Sequence, residues 1–152
     1  MALRKFFGSF NNIMSVLGSA RDEMLAVHVV KTYCLPVLLY GSETWSLSSS
    51  DKYMLNVAWN NCFCRISNGF WRESVKPLLF HCNTMPLVSI ADQRRLTFLR
   101  NITCGTNLIL STLGRLCDYD FRALAAVYNI NCVHVNNSYI KSAAWSSFAE
   151  CL

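Results

Sequence analysis

The sequence is poor in charged side chains for its size. Only 15% of the 152 residues are Asp, Glu, Lys or Arg, whereas 53% are apolar. The surface of a free-standing domain usually carries more charge. Either the fold is compact and leaves apolar side chains exposed on its surface, or one face normally packs on a partner domain that has been lost. We favour the second explanation, because large exposed apolar patches usually mark contact sites.

The sequence also lacks the cysteine spacings of common metal sites. It contains eight cysteines, yet no Cys-x-x-Cys pair. Cys62 and Cys64 would point to different sides of a helix, and His28, His81 and His134 are far apart. These spacings match neither a zinc finger nor a zinc knuckle. Thiols in a reducing, intracellular compartment are favoured over a disulfide or a metal site, and we expect no cofactor.

No uncharged apolar run is typical of a membrane span. Residues 32–42 are too few and are interrupted by Pro36, and residues 123–140 contain four asparagines that would be costly in lipid. The first seven residues have no long apolar core and no small-residue cleavage site, so we expect no signal peptide. The sequence therefore predicts an intracellular chain without a membrane partner, in either the cytoplasm or the nucleus.

Apolar residues recur at helical spacing in the first half of the chain, which predicts three helices in a small bundle. The first helix covers residues 3–17 and stops at Gly18, with a stripe made of Phe6, Phe10, Ile13, Met14 and Leu17. The second begins near Ser19, a possible cap, and has Asp22 and Glu23 in its first turn.

The end of the second helix and the start of the third carry their own signals. Apolar residues surround the axis over residues 33–40, which predicts burial on most sides, and Pro36 should kink the helix. Ser48 and Asp51 have the spacing of a capping box. The third helix then presents one apolar side (Leu55, Ala58, Trp59, Cys62 and Ile66) and ends at Asn68-Gly69.

The second half of the chain predicts shorter helices. The first covers residues 73–82, and the second covers residues 87–102, with Pro86 at a first helical position. A third carries a stripe of Ile109, Leu113 and Leu116. A fourth is capped by Asp118 and carries a stripe of Phe121, Leu124, Ala125 and Tyr128. Residues 131–137 are extended or loop, and a last helix covers residues 142–148. The predicted fold class is all-α, with a three-helix unit (1–68), a further helical segment (69–129) and a divergent or weakly ordered tail (130–152).

One segment resembles a known family of enzymes. It reads Leu35-Pro36-Val37-Leu38-Leu39-Tyr40-Gly41-Ser42-Glu43-Thr44-Trp45, and it is similar to the helix that follows the palm in reverse transcriptases of LINE-type (non-LTR) retrotransposons. Further similar runs are Arg4-Lys5-Phe6-Phe7-Gly8-Ser9-Phe10, as in jockey-like members, Asn60-Asn61-Cys62-Phe63-Cys64-Arg65-Ile66, Trp71-Arg72-Glu73-Ser74 and Asp92-Gln93-Arg94-Arg95-Leu96. The resemblance covers residues 4–128.

The resemblance implies the thumb and post-thumb region of such an enzyme, which grips the primer–template duplex beside the palm. Catalysis there needs carboxylates that hold two metal ions, and the family's palm signature contains an Asp-Asp pair. This sequence has no Asp-Asp pair. Asp118 and Asp120 flank Tyr119, and we interpret them as a helix cap and a solvated acid. The sequence therefore predicts a chain that is not an enzyme.

The net charge of +5 is compatible with a polyanion as partner. Through the resemblance, the candidate nucleic-acid-binding residues are Arg4, Lys5, Lys31, Arg94, Arg95 and Arg100, whose cations would contact phosphates. The alternative for the last three is a solvated helix face or pairing with Asp92. The aromatic residues Trp45, Trp59, Phe70 and Trp71 are expected in a core or a domain interface rather than stacked on bases.

Two functions remain from the sequence. The first is a catalytically incompetent, thumb-like module that contacts primer–template nucleic acid, with a missing palm domain as a further partner. The second is a helical protein-interaction module, or a leftover reading frame without function. A continuous basic face would favour the first, and scattered basic residues beside a large apolar patch would favour the second.

Overall fold

The computed structural model describes residues 2–18, 22–44, 47–69, 74–105, 107–130 and 136–151. Over these residues the chain forms eight α-helices and no β-strand, so the prediction of an all-α fold is confirmed. The helices are α1 (Ala2–Leu17), α2 (Glu23–Leu38), α3 (Ser49–Ile66), α4 (Lys76–His81), α5 (Leu87–Thr103), α6 (Leu108–Leu116), α7 (Asp118–Val127) and α8 (Asn137–Ala149).

The chain divides into two compact units. Unit 1 contains residues 1–41 and 45–87, and unit 2 contains residues 42–44 and 88–152. In unit 1, α1, α2 and α3 pack on one another, as expected for a small three-helix bundle, and α4 belongs to the same unit. The predicted ranges 1–68, 69–129 and 130–152 are not tested by this division and stay a prediction.

α1 buries the stripe that its sequence predicts. Phe6 and Phe10 are fully buried, and Ile13, Met14 and Leu17 are half-buried. The helix ends where Gly18 adopts a φ of +70° and donates its backbone N–H to the carbonyl of Met14 at 3.2 Å. Glycine adopts this left-handed conformation without the Cβ penalty of other residues, so the predicted stop at Gly18 is confirmed.

The start of α2 differs from its prediction in one respect. Asp22 lies outside the helix as its N-cap, and its carboxylate accepts the backbone N–H of Met24 at 2.8 Å and of Leu25 at 3.4 Å. The expectation that Asp22 lies in the first turn is therefore wrong, because a short acidic side chain satisfies these N–H groups from the cap position. Ser19, the possible cap, lies outside the described residues.

The prediction that residues 33–40 are buried on most sides is also wrong. Tyr33 and Tyr40 are 66% and 88% exposed, whereas Cys34 and Leu38 are buried. α2 packs against α1 and α3, and its buried residues recur at helical spacing on one side of the helix (Ala26, Val27, Val30, Cys34 and Leu38). The rest of the helix surface is left exposed whatever its composition. The α-helix continues two residues beyond Pro36, to Leu38.

Both ends of α3 carry the signals that the sequence predicts. The hydroxyl of Ser48 accepts the backbone N–H of Asp51 at 3.1 Å and donates to the carboxylate of Asp51 at 2.6 Å. After the helix, Asn68 takes the left-handed conformation with a φ of +50°, and Gly69 N–H bonds to the carbonyl of Cys64 at 3.0 Å. On the predicted apolar side of α3, Leu55 is half-buried and the other four residues are buried (Ala58, Trp59, Cys62 and Ile66).

In unit 2, polar contacts join α5 to α7 and to α8. Arg95 of α5 pairs with Asp120 of α7 at 3.1 Å, and Arg100 bonds to Asn137 at the start of α8 at 3.2 Å. The buried apolar side chains of α5, α7 and α8 recur at helical spacing (Ala91, Leu96, Leu99, Phe121, Ala125, Tyr128, Ile140, Ala144 and Phe148). The predicted stripe of α7 is thus largely buried.

Two further expectations for the second half of the chain have clear outcomes. Asp118 is the first residue of α7 and not its cap, which is Cys117. A last helix exists and begins earlier than predicted, at Asn137, because the side chain of Asn136 caps it by accepting the N–H of Tyr139 at 2.8 Å. Of residues 131–137, predicted to be extended or loop, 131–135 lie outside the described residues, Asn136 is the extended N-cap of α8, and Asn137 is already helical, so the prediction is wrong at Asn137. Within the described part of the chain, no helix is long and apolar enough to span a bilayer.

Candidate nucleic-acid interface

The side of α1 opposite its buried stripe is polar and contains no carboxylate. At 100° per residue, the helix places on this side six residues that are all exposed, namely Arg4, Lys5, Gly8, Asn11, Asn12 and Ser15. We call them the polar face of α1. α1 has no acidic residue along its length, and the positive end of its dipole lies beside Arg4 and Lys5. The electrostatic potential over this face therefore favours an anion.

Arg4 and Lys5 are available for contact. Both side chains are exposed, and neither forms a hydrogen bond or an ion pair with another residue that the structure describes. Arginine, lysine, asparagine and serine side chains are the groups that usually contact phosphate oxygens. The face thus combines two cations with neutral donors, as a sequence-independent phosphate contact requires.

A third cation reaches the same face from α3. The guanidinium of Arg65 donates to the side-chain oxygen of Asn11 at 3.0 Å and lies over the ring of Phe10, 4.9 Å from its centroid. These two contacts fix an exposed arginine beside the polar face of α1. Sequence reasoning missed Arg65 as a candidate, because its partners are more than 50 positions away in the chain and no local pattern indicates them.

Lys31, another candidate, has a structural contact. Its side chain is half-buried, and its ammonium donates to the backbone carbonyl of Asn83 at 2.9 Å. Asn83 follows the carboxyl end of α4, where unsatisfied carbonyls attract a cation. Lys31 therefore joins α2 to the end of α4 within unit 1.

The three candidate arginines of α5 all have partners within unit 2. Arg94 lies 3.8 Å from Glu43, and Arg95 lies 3.1 Å from Asp120. Arg100 donates to the side-chain oxygens of Asn101 and Asn137 at 3.3 and 3.2 Å, and its Nε is buried without an acceptor. The structure thus brings together Arg4 and Lys5 on α1, and it engages Arg94, Arg95 and Arg100 in contacts that hold unit 2 together.

An open groove of about 510 Å³ runs beside Arg94 in unit 2. Its lining includes Lys141 as a second cation, together with Glu43 and the ring of Phe98. Because the carboxylate of Glu43 lies close to Arg94, it competes with any incoming anion for the guanidinium. Among the described residues, no carboxylate forms an ion pair with Arg4 or Lys5 on the polar face of α1, so this face is the better candidate for phosphate contact.

Asp118 and Asp120 have separate partners in the structure. Asp118 lies 2.7 Å from Arg122, and Asp120 pairs with Arg95, so the two carboxylates bind different arginines. Across the described residues, no group of three or more His, Cys, Asp and Glu side chains is placed to hold a metal ion. His28 and His81 are exposed, and His134 lies outside the described residues.

Three of the described thiols are buried and poorly reactive. All seven cysteines in the described ranges are free of disulfides, and Cys34, Cys62 and Cys82 are buried. Burial raises the pKa of the Cys34 and Cys82 thiols above the ordinary value, and it raises the pKa of Cys62 to about 12 with a further contribution from Cys34. A raised pKa leaves little thiolate at neutral pH, so these groups are poor nucleophiles.

Of the four candidate aromatic residues, Trp59 alone lies in the described ranges. It is fully buried on α3 and packs edge-on against Phe63, with ring centroids 5.1 Å apart. Trp59 therefore belongs to the core, as expected, and it is not placed to stack on a base. Trp45, Phe70 and Trp71 lie outside the described residues.

Comparisons with protein-family models, with curated proteins and with solved structures find no match to this chain. The resemblance to LINE-type reverse transcriptases therefore stays a prediction.

Proposed function

We propose that the chain is a catalytically incompetent, thumb-like helical module of a LINE-type reverse transcriptase, and that its unit 1 contacts the backbone of primer–template nucleic acid. The observation that carries the proposal is the polar face of α1, which presents Arg4 and Lys5 without a carboxylate and receives Arg65 from α3. The resemblance of residues 35–45 supplies the family, and the helical bundle of α1, α2 and α3 is compatible with a thumb.

The distribution of charge supports unit 1 as the contacting part. Residues 1–41 and 45–87 contain eight Lys and Arg against four Asp and Glu, a net charge of +4. Residues 42–44 and 88–152 contain six against five, a net charge of +1. Phosphate contacts draw their affinity from such a local excess of cations.

The test is equilibrium binding of the whole chain to a primer–template duplex over a salt series. With three cations at the interface, the logarithm of the association constant should fall with the logarithm of salt with a slope of about −2.7, or roughly 40-fold between 50 and 200 mM salt. A flat response would refute phosphate contact. Extension of the primer by the chain alone would refute catalytic incompetence.

A second candidate function, a helical protein-interaction module, is favoured by a different observation. Helix α6 of unit 2 exposes most of its apolar side chains, and Leu108 and Leu116 are 80% and 77% exposed. Exposed apolar patches of this kind mark contact sites. The two functions use different units, so substitutions on α6 would leave the affinity for duplex unchanged.

A further inference from the structure

A cavity of about 160 Å³ in unit 1 is lined by residues of α2, α3 and α4. Most of its wall consists of apolar side chains (Met24, Val27, Phe63, Ile66 and Leu78). We call this space the apolar cavity of unit 1. A cavity of about 150 Å³ is large enough to hold one benzene molecule. The apolar cavity of unit 1 therefore suits a single small ring and is too small for a drug-sized ligand.

The inner part of the cavity is apolar. Val27, Phe63 and Ile66 are buried, and Cys82 is a buried thiol that behaves as a small hydrophobe. The hydroxyl of Ser67 donates to the backbone carbonyl of Phe63 at 3.0 Å, so its proton is already used at the end of α3. A polar group that entered this part without a partner would lose its hydration at a cost. The part of a ligand that enters must therefore be apolar.

Hydrogen bonds hold the wall around Cys82 in place. The ammonium of Lys31 donates to the carbonyl of Asn83 at 2.9 Å, which joins α2 to the end of α4. The hydroxyl of Thr84 donates to the carbonyl of Cys82 at 3.0 Å, and the N–H of Cys82 bonds to the carbonyl of Leu78 at 3.0 Å. Because these walls are already ordered, a ligand loses little binding free energy to ordering them.

The open end of the cavity carries a carboxylate. Glu23 and Met24 in the first turn of α2, and His81 at the end of α4, are exposed lining residues. Glu23 forms no ion pair or hydrogen bond with another residue that the structure describes. The described lining residues include no lysine and no arginine. A cationic group on a ligand would therefore be attracted to Glu23.

The lysine on the same helix does not reverse this attraction. Lys31 acts electrostatically on Cys82, as Glu23 does. However, Lys31 follows Glu23 by eight positions in α2, a rise of about 12 Å along the helix. This separation exceeds the screening length of about 10 Å at 0.1 M salt, and the ammonium of Lys31 is bound to the carbonyl of Asn83. The repulsion between Lys31 and a cation beside Glu23 is therefore small.

We propose that the apolar cavity of unit 1 binds a compact aromatic amine, with the ring against Phe63, Ile66 and Leu78 and the ammonium group beside Glu23. The ligand class follows from the volume of the cavity, its apolar inner part and the charge at its open end. None of the described lining residues belongs to α1, so the proposal is independent of the nucleic-acid contact of the polar face of α1.

Isothermal titration calorimetry of the full chain with benzylamine, benzyl alcohol and benzoate, under reducing conditions, tests the proposal. The three probes share a ring and differ in charge. Benzylamine should bind with a dissociation constant of about 0.1–1 mM, as expected for a ligand of so few atoms. It should bind about fivefold more tightly than benzyl alcohol, because an exposed ion pair contributes an effect of this size. Benzoate should bind more weakly than benzyl alcohol.

Two pairs of variants separate the contribution of the charge from that of the cavity. Glu23→Gln should bind benzylamine no more tightly than benzyl alcohol, whereas the matched control Glu150→Gln, at an exposed position of unit 2, should keep the preference for benzylamine. Leu78→Trp should fill the cavity and abolish the binding of all three probes. Its matched control Leu25→Trp, at a half-exposed position outside the lining, should bind them as the wild type does.

Several results would overturn the proposal. One is the absence of benzylamine binding up to about 10 mM, and another is benzoate that binds as tightly as benzylamine. A preference for benzylamine that survives Glu23→Gln, or binding that survives Leu78→Trp, would also overturn it. Circular dichroism verifies that each variant keeps its helices, and Glu23 is exposed, so its substitution leaves the core intact. None of these results alters the salt dependence of duplex binding, which tests the function of unit 1.

Discussion

The hydroxyl of Tyr128 donates a hydrogen bond to the carboxylate of Asp92 across 3.0 Å, and both side chains are buried. The two residues lie 36 positions apart, on α5 and at the end of α7. Their contact contributes a hydrogen bond to a carboxylate, a group that is expensive to bury without partners. It therefore helps to hold α7 on α5 within unit 2.

Removal of that hydroxyl should destabilise the protein. We expect Tyr128→Phe to lower the free energy of unfolding by about 1–3 kcal/mol, because the variant keeps the ring and removes a donor from a buried carboxylate. Urea denaturation measures the change. Tyr119→Phe is the matched control, since Tyr119 is exposed, and it should change the free energy by less than about 0.5 kcal/mol. Equal effects of the two substitutions would contradict the role of the Asp92 contact.

Alkaline pH should destabilise the protein through its buried thiols and Tyr128, with Cys62 and Tyr128 as the most strongly shifted groups. Burial raises the pKa of Cys62 from 9.0 to about 12, and burial together with Asp92 raises the pKa of Tyr128 above 10.0. Both groups stay protonated in the folded chain while they ionise in the unfolded chain. Their contribution is therefore complete below pH 9 and is lost as the pH rises above it, by up to about 1.4 kcal/mol per pH unit for each group.

Urea denaturation in the presence of a reductant, from pH 7 to pH 10.5, checks this dependence. These groups should leave the free energy of unfolding nearly constant up to pH 9 and should lower it at higher pH. Cys62→Ala should reduce the decline between pH 9 and pH 10. A stability that rises over that interval would contradict the assignment of buried, protonated groups.

Replacing the asparagine that ends a helix should affect stability differently for glycine and for alanine. Asn68, Asn83 and Asn129 all have a positive φ, and in each case the next residue bonds back to a carbonyl five positions earlier. We expect Asn129→Ala to lower the free energy of unfolding by about 1 kcal/mol, because alanine resists the left-handed conformation. Asn129→Gly should equal or exceed the wild type in thermal denaturation, and a loss as large as that of alanine would contradict the expectation.

Two glycine-to-alanine substitutions should change stability in opposite directions. Gly114→Ala forces a Cβ to within 2.8 Å of the Cα of Thr103, so α6 must move away from α5 at a cost of about 1–3 kcal/mol. Gly8→Ala, inside α1, meets no atom within 4 Å and should stabilise the protein by about 0.5–1 kcal/mol. Chemical denaturation of both variants measures these changes. A Gly114→Ala variant as stable as the wild type would mean that α6 does not approach Thr103 as closely as described.

The sequence predicted the local features of the fold better than the contacts between distant residues. The stripe of Phe6 and Phe10 followed from helical spacing, and Gly18 was recognised as a stop, because both signals lie within one or two turns. The burial of residues 33–40 was mispredicted, since an apolar run does not indicate which side meets a neighbouring helix. Tyr33 is exposed on α2, and Tyr40 is exposed in the turn that follows the helix.

The candidate interface shows the same limit. Arg4 and Lys5 could be chosen from the sequence, because they lie next to each other on one helix. Arg65 could not, since its position depends on Asn11 and Phe10 of another helix. The partners of Arg95 and Arg100 are likewise 25 and 37 positions away, so no local pattern indicated that these arginines serve the packing of unit 2.

The central claim is that the polar face of α1 contacts a nucleic-acid backbone. Its most direct test compares the salt dependence of duplex binding for the wild-type chain and the double variant Arg4→Gln/Lys5→Gln, with Arg115→Gln/Lys141→Gln as a control of equal charge from unit 2. The account predicts that the first variant reduces the slope of log K against log salt by about 1.8 and that the control leaves it within experimental error. An unchanged slope in the α1 variant, or an equal loss in both variants, would contradict the account.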